Sequence, residues 1–362
     1  MSIPEMSIPE RMKAVVLVER NRVEVRDVPT PTAGPEDVLI RVESCALCGT
    51  DVALMDHPFP GQPPYGEFII GHEYAGVVVD RGRSVDEFTA GDHVVVEAHL
   101  GCLRCRNCRV GNYSACLNYG DRKKGHRANG FTTNGGNAQY VTNHINTVHR
   151  VAPEISFDEA SLITNLGCVL YGFETLGGYI VGETVVVIGP GPLGLSAVQA
   201  ARALGADKVI LVGTRESRLE IGRRTGADRV VNSREENAFD VIMEETGGVG
   251  ADYVVESSGA EPAMDLAIRA SRRMGKILLL GFPHEPLQTD FHTLAVNNKH
   301  IFTVRGEGWA NTARAVSLMN RGRIDLKPLV THTFGIDSID EAFRTFINRI
   351  DGAVKVVSKP QE

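Results

Sequence analysis

The sequence predicts an α/β protein in which a β-rich domain is joined to a doubly wound domain built on a parallel sheet. Three observations carry this prediction. The chain has 362 residues, which is too long for one typical hydrophobic core. Its first half consists of short β-prone runs that glycine, proline and aspartate interrupt. Its second half alternates continuous apolar runs with helical segments, which is the pattern of βαβ units.

The first domain is expected over residues 11–169. Its strands are predicted in the runs AVVLVE, EDVLIRVESC, EYAGVVVDRG, GDHVVVEA and AQYVTN. Many short strands with little helical periodicity favour an all-β, barrel-like arrangement.

The second domain is expected over residues 170–298. Its strands are predicted in the runs TVVVIG, KVILVG, RVVN, DYVVESSG and KILLLG, with helices in LGLSAVQAARALG and RLEIGRRTG. Residues 299–362 add a helix in WANTARAVSLMNRG, a strand-like run PLVTHTFG, a helix near residues 338–348 and a strand AVKVVS. This last segment is expected to return and complete the first domain.

Charge and hydropathy restrict the classes of partner. The 45 acidic and 38 basic residues give a net charge of −7, and no block of like charges suggests a nucleic-acid or lipid surface. No apolar run approaches the roughly 20 residues that a membrane span requires, and the start of the chain lacks the regions of a signal peptide. We expect small molecules and further copies of the chain as partners, no nucleic acid or membrane, and a cytoplasmic location.

A glycine motif predicts a dinucleotide site. Gly189, Gly191 and Gly194 form GxGxxG between a predicted strand and a predicted helix, with Pro192 and Leu193 inside the motif. The first glycine permits a tight turn, the second lets the backbone approach a pyrophosphate, and the third allows close helix packing. The pyrophosphate would then lie at the helix N-terminus, where free N–H groups favour anions.

The end of the second strand bears on the choice of dinucleotide. An NAD site normally carries Asp or Glu there, which binds the ribose 2′-hydroxyl. This chain has Gly213, followed by Thr214, Arg215 and Glu216. Glycine leaves room for a 2′-phosphate, and Thr214 and Arg215 can donate hydrogen bonds to it, which favours NADP(H). NAD(H) remains an alternative through Glu216 as the ribose ligand.

Four of the seven cysteines lie within fifteen residues and predict a metal site. Cys102, Cys105, Cys108 and Cys116 give the spacing C-x2-C-x2-C-x7-C. Four thiolates can complete a tetrahedron around zinc and leave no position for a substrate, so the site is expected to be structural. Iron–sulfur ligation is the alternative, although Cys116 lacks the close spacing and following proline of a ferredoxin run.

A second, dispersed set of residues predicts a catalytic metal. Cys48, His72 and Cys168 would supply two thiolates and one imidazole and leave a fourth position open, which is typical of catalytic zinc. Such an ion lowers the pKa of a hydroxyl group and polarises a carbonyl. Cys45 stands three residues before Cys48 and is assigned to packing.

The combined motifs resemble the zinc-containing medium-chain alcohol dehydrogenase family. They are CGTD at residues 48–51, GHE at 71–73, the four-cysteine run at 102–116, GxGxxG at 189–194 and Arg218 followed by leucine. The motif CGTD is similar to that of the polyol, threonine and butanediol dehydrogenase branch. The resemblance implies a GroES-like catalytic domain, a Rossmann domain, two zinc ions per chain, and hydride transfer between an alcohol, secondary or polyhydroxylated, and NAD(P).

The resemblance also implies roles for individual residues. Cys48, His72 and Cys168 match the ligands of the catalytic zinc. Asp51 matches a carboxylate that orients the ligating histidine, and Glu73 matches an acid that exchanges onto zinc during turnover. The polyol branch often has Glu where this chain has Cys168, so the substrate class stays open.

Further expectations concern proton transfer, assembly and the pocket. Thr50 is the candidate to start a proton relay, Ala53 stands where many relatives have a relay histidine, and His57 could substitute for it. Arg218 is expected at the dinucleotide, and a homodimer or homotetramer is implied. Candidate pocket walls are His57, Phe59, Tyr74, Tyr119, Leu166 and Trp309.

Two alternative functions stay open beside the zinc-dependent alcohol dehydrogenase. One is a zinc-free quinone or enoyl reductase of the same superfamily, and the other is a non-catalytic NADPH-binding sensor.

Overall fold

A computed structural model describes residues 7–283 and 285–362, except for the side chain of residue 309. The chain divides into two compact units. The first contains the chain up to Thr164 together with Gly306–Asn320 and Val330–Glu362. The second contains Asn165–Arg305 and Arg321–Leu329.

The regular elements are as follows in chain order. The strands are β1 (Arg11–Glu19), β2 (Arg22–Pro29), β3 (Asp37–Ala46), β4 (Phe68–Ile69), β5 (Glu73–Arg81), β6 (His93–Val96), β7 (His99–Gly101), β8 (Arg127–Ala128), β9 (Tyr140–His144), β10 (Val148–Arg150), β11 (Thr184–Ile188), β12 (Lys208–Gly213), β13 (Arg229–Asn232), β14 (Ala251–Glu256), β15 (Ser271–Leu279), β16 (His300–Thr303), β17 (Val330–Gly335) and β18 (Lys355–Lys359). The helices are α1 (Gly49–Asp56), α2 (Phe157–Ala160), α3 (Ile163–Leu176), α4 (Pro192–Ala203), α5 (Glu216–Arg224), α6 (Ala238–Glu245), α7 (Glu261–Ala270), α8 (Phe291–Val296), α9 (Gly308–Asn320) and α10 (Ile339–Asn348).

The first unit is built around strand β3. Its larger sheet has the order β10-β6-β5-β3-β18-β17, and β9 also pairs with β3. Strand β18 runs antiparallel to β3, with Val357 opposite Ala46 and Ser358 opposite Cys45. The C-terminal segment therefore contributes strands to the same sheet as the N-terminal part. Two smaller sheets, β2-β1-β4 and β7-β8, complete the β structure described for this unit.

Alternating apolar residues explain the core of the first unit. Val38, Ile40 and Val42 of β3 are fully buried and pack with Val78 and Val94 of the neighbouring strands. Successive side chains of a strand point to opposite faces, so this alternation buries one face of β3. The predicted β-rich domain is confirmed.

The second unit is a parallel sheet of six strands in the order β13-β12-β11-β14-β15-β16. Val186 of β11 lies opposite Ile210 of β12 and Val254 of β14, and all three side chains are fully buried. The order of the strands reverses between β11 and β14. That reversal defines the doubly wound topology, and ligands of such sheets bind outside the carboxyl ends of the strands at the reversal. The predicted fold class is confirmed.

One strand of this sheet lies outside the expected range of the second domain. Strand β16, at residues 300–303, pairs in parallel with β15, with Ile277 opposite Ile301. The sequence analysis assigned this stretch to the C-terminal return, because four residues are too few to show a clear periodicity. The two end residues of the strand are exposed and the two middle ones are half-buried. The bounds 11–169, 170–298 and 299–362 stay predictions. Among the described residues, no helix is both long and apolar enough to cross a lipid bilayer.

Candidate functional site

The start of helix α1 places the first two site residues. Cys48 is the N-cap of α1, and its backbone N–H donates a hydrogen bond of 2.8 Å to Asp51 Oδ2. This reciprocal cap satisfies a backbone donor that a helix start otherwise leaves free. Asp51 is completely buried. Its second carboxylate oxygen is therefore fixed in direction and points to the next site residue.

That residue is His72, which a glycine turn brings to the site. Gly71 has φ of +101°, and a Cβ there would lie 2.6 Å from Asn137 Nδ2 and 2.7 Å from Cys45 Sγ. Only glycine fits this backbone without displacing its neighbours. His72 Nδ1 lies 3.1 Å from Asp51 Oδ1, so the Nδ1–H group donates to the carboxylate and Nε2 is the nitrogen that a metal ion would use.

Three side chains meet around His72 Nε2. The candidate ligand atoms of Cys48, His72 and Glu73 all lie within 4.8 Å of one another. A sulfur, an imidazole nitrogen and a carboxylate oxygen are all ordinary zinc ligands. His72 and Glu73 are buried, and Cys48 is half-buried. The donor set therefore fits a zinc ion. It contains two of the three predicted zinc ligands, Cys48 and His72, together with the predicted exchange ligand Glu73.

The charges of this cluster act on one another. Burial opposes the charged form of His72, but the Asp51 carboxylate and the Cys48 sulfur outweigh it and raise the pKa of His72 well above its ordinary value. A proton on Nε2 and a metal ion compete for the same lone pair. Metal binding at this cluster is therefore expected to release a proton.

Lys355 is a site residue that the sequence analysis missed. It lies on β18, its side chain is fully buried, and its Nζ contacts Glu73 Oε2 and donates to Leu47 O at 3.2 Å. Burial opposes its positive charge, but Glu73 and then Cys48 outweigh it and raise the pKa of Lys355. The one signal in the sequence is a lysine within the otherwise apolar run AVKVVS.

Three further side chains surround the cluster. Thr50 Oγ1 lies 3.7 Å from Cys48 Sγ. The ring of Phe131, which the sequence analysis also missed, lies 4.7 Å from the His72 ring. His57, the possible relay residue, has 76% of its side chain exposed and lies 2.7 Å from a carboxylate oxygen of Asp56. This partner holds His57 at the surface.

The third predicted zinc ligand is Cys168. Cys168 is a half-buried residue of α3 and belongs to the second unit. Its role as a ligand stays a prediction. Cys45, assigned to packing, is fully buried in the core of the first unit, and burial raises the pKa of its thiol well above the ordinary value.

The four-cysteine loop forms a compact sulfur cluster. The Sγ atoms of Cys102, Cys105, Cys108 and Cys116 lie within 4.8 Å of one another, and none forms a disulfide. Sulfurs placed about 2.3 Å from one zinc ion at the corners of a tetrahedron would be roughly 3.8 Å apart. The distance from Cys102 Sγ to Cys108 Sγ is 3.9 Å. The cluster therefore fits a tetrahedral ion.

The surroundings of the cluster also favour an ion. Burial opposes ionisation of Cys102, but hydrogen bonds from the Arg104 backbone and the Asn118 side chain outweigh it and lower its pKa to about 6. Burial and neighbouring cysteines raise the pKa of Cys108 to about 12. Adjacent thiolates repel one another, and a bound cation removes that cost. Gly101 has φ of +69°, and a Cβ there would lie 2.6 Å from Cys108 Sγ.

The glycine motif follows β11 and opens α4, as predicted. A Cβ at Gly194 would lie 1.9 Å from Gly189 O, so this glycine permits the close packing of helix against turn. A Cβ at Gly191, the N-cap of α4, would meet no described heavy atom within 4 Å. The space beside the helix N-terminus is therefore open to an anion. Pro192 is the first residue of the helix, and Leu193 beside it is half-buried.

The end of β12 gives a further reason for Gly213. A Cβ there would lie 2.5 Å from Pro190 Cγ, so packing excludes a side chain. Thr214 is exposed and Arg215 is the N-cap of α5. Glu216 Oε1 lies 2.6 Å from a guanidinium nitrogen of Arg223. In the NAD alternative, the Glu216 carboxylate would have to bind the ribose 2′-hydroxyl, and here that carboxylate is paired with Arg223 instead. Arg218 lies on the same helix and is half-buried.

The candidate pocket walls divide into two groups. Tyr74 and Leu166 are completely buried, and the Tyr74 hydroxyl accepts a hydrogen bond of 2.7 Å from Asn143. They belong to cores, because their apolar character is used in packing. Phe59 and Tyr119 are half-buried. The side chain of Trp309 lies outside the described residues.

Comparison with known proteins identifies the family. The alcohol dehydrogenase GroES-like domain matches residues 34–153, and the zinc-binding dehydrogenase domain matches residues 192–321. An L-threonine 3-dehydrogenase of Pectobacterium carotovorum is 33% identical over 320 residues, which are 88% of this chain and 90% of that protein.

Solved structures agree. An oxidoreductase/dehydrogenase of unknown specificity from Escherichia coli has a TM-score of 0.89 and 26% identity, with 96% of this chain and 99% of that chain covered. A protein of Sinorhizobium meliloti 1021 bound to NADP has a TM-score of 0.86 and 28% identity, with 97% of this chain and 100% of that chain covered. The chain belongs to the zinc-containing medium-chain alcohol dehydrogenase family and is an NAD(P)-dependent oxidoreductase acting on CH–OH donors.

Proposed function

We propose that this enzyme oxidises a small secondary alcohol to a ketone at a zinc ion that Cys48, His72 and Cys168 hold, and reduces the ketone in the reverse direction. The observation that carries the proposal is the orientation of His72. Its Nδ1 lies 3.1 Å from Asp51, so Nε2 is the nitrogen that would bind the metal beside the sulfur of Cys48. Glu73 would serve as the ligand that exchanges onto the metal.

The chain's own residues account for orientation and proton handling. Asp51 fixes the tautomer of His72, because its carboxylate accepts the Nδ1 proton. The hydroxyl of Thr50, close to Cys48 Sγ, is the group that would accept the proton of a substrate hydroxyl and pass it on. The ring of Phe131 lies 4.7 Å from the His72 ring and would shield one side of the imidazole.

The bound groups supply the chemistry that side chains lack. Zinc would lower the pKa of a hydroxyl group and polarise a carbonyl. The nicotinamide would accept or return the hydride, while the protein sets the geometry. Gly189, Gly191 and Gly194, with Pro192 and Leu193, would form the turn and helix start that receive the pyrophosphate.

The catalytic metal is tested by replacing one ligand. Cys48→Ser should abolish turnover and remove one zinc ion per chain, and dinucleotide affinity should change less than twofold. Cys45→Ala is the matched control, because Cys45 is buried in the apolar core and is expected to leave the zinc content unchanged. Full activity in metal-free Cys48→Ser protein would refute the proposal and favour a zinc-free reductase.

We assign the second zinc ion to the four-cysteine loop, where it would be structural. All four positions of a tetrahedron would be filled by Cys102, Cys105, Cys108 and Cys116. Elemental analysis of the purified enzyme should then give two zinc ions per chain. Detection of iron with the visible absorption of a cluster would instead support the ferredoxin-like alternative.

NADP(H) is the preferred dinucleotide in this proposal. Packing against Pro190 keeps a carboxylate off position 213, and Glu216 is paired with Arg223. Arg215 would attract a 2′-phosphate. Arg215→Ala should weaken NADP binding at least tenfold and change NAD binding little, and exposed Arg224→Ala on the same helix is the control. Equal loss for both dinucleotides would refute this assignment.

The substrate is proposed to carry a polar group next to the alcohol carbon. Curated relatives about one-third identical to this chain are named L-threonine 3-dehydrogenase, which points to a hydroxyl beside an amino-bearing carbon. A coupled assay should compare L-threonine, vicinal diols, longer polyols and simple secondary alcohols, each with NAD and NADP. Zinc-dependent activity on the simple alcohols alone would refute this substrate class. No zinc-dependent oxidation of any substrate would support the non-catalytic NADPH-binding sensor.

Assembly and location complete the proposal. Strand β16 ends the described parallel sheet, and its outer edge can pair with the same strand of a second copy. A homodimer, or a homotetramer built from two dimers, is expected, and light scattering of the purified enzyme tests it. A monomer at micromolar concentration would contradict the expectation. The cytoplasmic location stays a prediction.

A further inference from the structure

Lys355 is an ammonium group enclosed within the first unit beside the candidate metal ligands. Only 1% of its side chain is exposed. Lysine is almost never buried to this extent unless its charge is compensated, because removing an ammonium ion from water is expensive. Its position on the last strand of the chain brings this charge to Glu73 and to Leu47 O at the start of the metal-binding segment.

The two oxygens of Glu73 face different partners. Oε2 contacts Lys355 Nζ, whereas Oε1 lies 3.9 Å from His72 Nε2. The carboxylate therefore stands between an ammonium group and the atom that would bind the metal. Rotation of the Glu73 side chain toward His72 would break the contact with Lys355, so the lysine and a metal ion compete for the same carboxylate.

We propose that Lys355 is a positioning residue that restrains Glu73 from the metal while substrate binds, and so keeps one coordination position open for the substrate oxygen. The inference rests on the proposed function, in which Cys48 and His72 hold that metal. Without Lys355, Glu73 would be a buried carboxylate with no ammonium partner, and the metal would be the nearest compensating cation. Glu73 would then occupy the position that the substrate oxygen requires.

The test uses the full chain with Co(II) in the catalytic site, because the visible spectrum of Co(II) reports coordination number. In Lys355→Met we expect the weaker absorption of a five-coordinate ion, in place of the stronger absorption of a four-coordinate one. Release of the metal to a chelator should slow about tenfold, the lower end of the effects of groups around metal ligands. The value of kcat should fall at least tenfold, while the Kd for dinucleotide stays unchanged.

Two single variants serve as controls. Lys355→Arg keeps the positive charge and should restore the four-coordinate spectrum and most of kcat. Lys359→Met removes a lysine from the same strand, where Nζ lies 2.6 Å from Asp158 and 3.1 Å from Ser44 Oγ. It should leave the cobalt spectrum unchanged. A purely structural role for Lys355 would reduce stability in Lys355→Met without changing that spectrum, and this result would overturn the inference.

A double variant separates the possible failures. In a Glu73→Gln background, Lys355→Met should have no further effect on the spectrum or on metal release, because the lysine acts through the carboxylate. The double variant contains neither buried charge, so its spectrum can be compared directly with that of the wild type if a single variant does not fold. A further spectral change in the double variant would overturn the inference. Equal metal content in the wild type and Cys48→Ser would instead overturn the proposed metal site itself.

Discussion

Replacement of Asp51 by asparagine tests the central geometry most directly. The two carboxylate oxygens accept from Cys48 N–H at 2.8 Å and from His72 Nδ1 at 3.1 Å. Asparagine has one oxygen, so it can satisfy only one of these donors. If the oxygen stays on the Cys48 N–H, the amide NH₂ faces His72 and donates to Nδ1. The neutral ring must then carry its proton on Nε2, where the metal should bind.

The magnitudes follow from these contacts. Loss of the correct tautomer should weaken zinc binding about 10- to 100-fold, roughly 1.4 to 2.7 kcal/mol. Asp51→Ala would leave two buried donors unpaired, each costing about 1 to 3 kcal/mol, so it should reduce the free energy of unfolding by about 2 to 6 kcal/mol. Asn should cost less stability than Ala but lose metal affinity and kcat.

The assay is competition for zinc with a chromophoric chelator, together with steady-state kinetics and thermal unfolding. Asp86→Asn is the control, because the side chain of Asp86 is fully exposed and should leave all three quantities unchanged. Zinc binding by Asp51→Asn within twofold of the wild type, together with an unchanged kcat, would refute this role of Asp51.

Three further predictions follow from packing, metal ligation and titration. Gly194→Ala should unfold at a clearly lower temperature, because its Cβ would lie 1.9 Å from a backbone oxygen. Gly191→Ala should lose only about 1 kcal/mol or less of stability, since its Cβ meets open space, but it should bind dinucleotide more weakly in calorimetry. Cys105→Ser should lose one zinc ion per chain by elemental analysis and melt at a lower temperature; unchanged zinc content would contradict the structural site. Burial, and then the charge of Glu307, raise the pKa of Glu97 well above 4.5, so its contribution to stability is present below that value and is lost as pH rises through the folded pKa. Glu97→Gln should therefore gain stability relative to the wild type as pH rises above 4.5 in thermal melts, and a difference that does not change with pH would disprove the pKa shift.

The fold could be predicted because its signals are local. Continuous apolar runs with intervening helices indicate buried parallel strands, and β11 to β14 lie where those runs predicted them. Strand β16 was assigned to another segment, because a run of four residues, two exposed and two half-buried, does not distinguish a sheet edge from a connection. Pairing with β15, which only the folded chain reveals, decides its place.

In the candidate site, too, some features could be predicted from the sequence and others only the structure shows. The spacing of the four cysteines within fifteen residues predicted a cluster, and their sulfurs do meet. For Gly213 the sequence suggested room for a phosphate, whereas the structure adds contact with Pro190, which follows from the close approach of two loops. Tyr74 was predicted to line the pocket but is a core residue. The prediction failed because no local pattern in the sequence tells which face of β5 a tyrosine occupies.

What the sequence alone determined is the chemistry available: thiols, an imidazole and a glycine turn at spacings that chain geometry can close. Only the tertiary structure decided which charged side chains lie beside those groups and act on their electrostatics. Lys355 stands 282 residues beyond Glu73 and reaches it because β18 pairs with β3. An interaction between such distant residues leaves no periodic trace in the chain, because it depends on the packing of strands rather than on their local conformation.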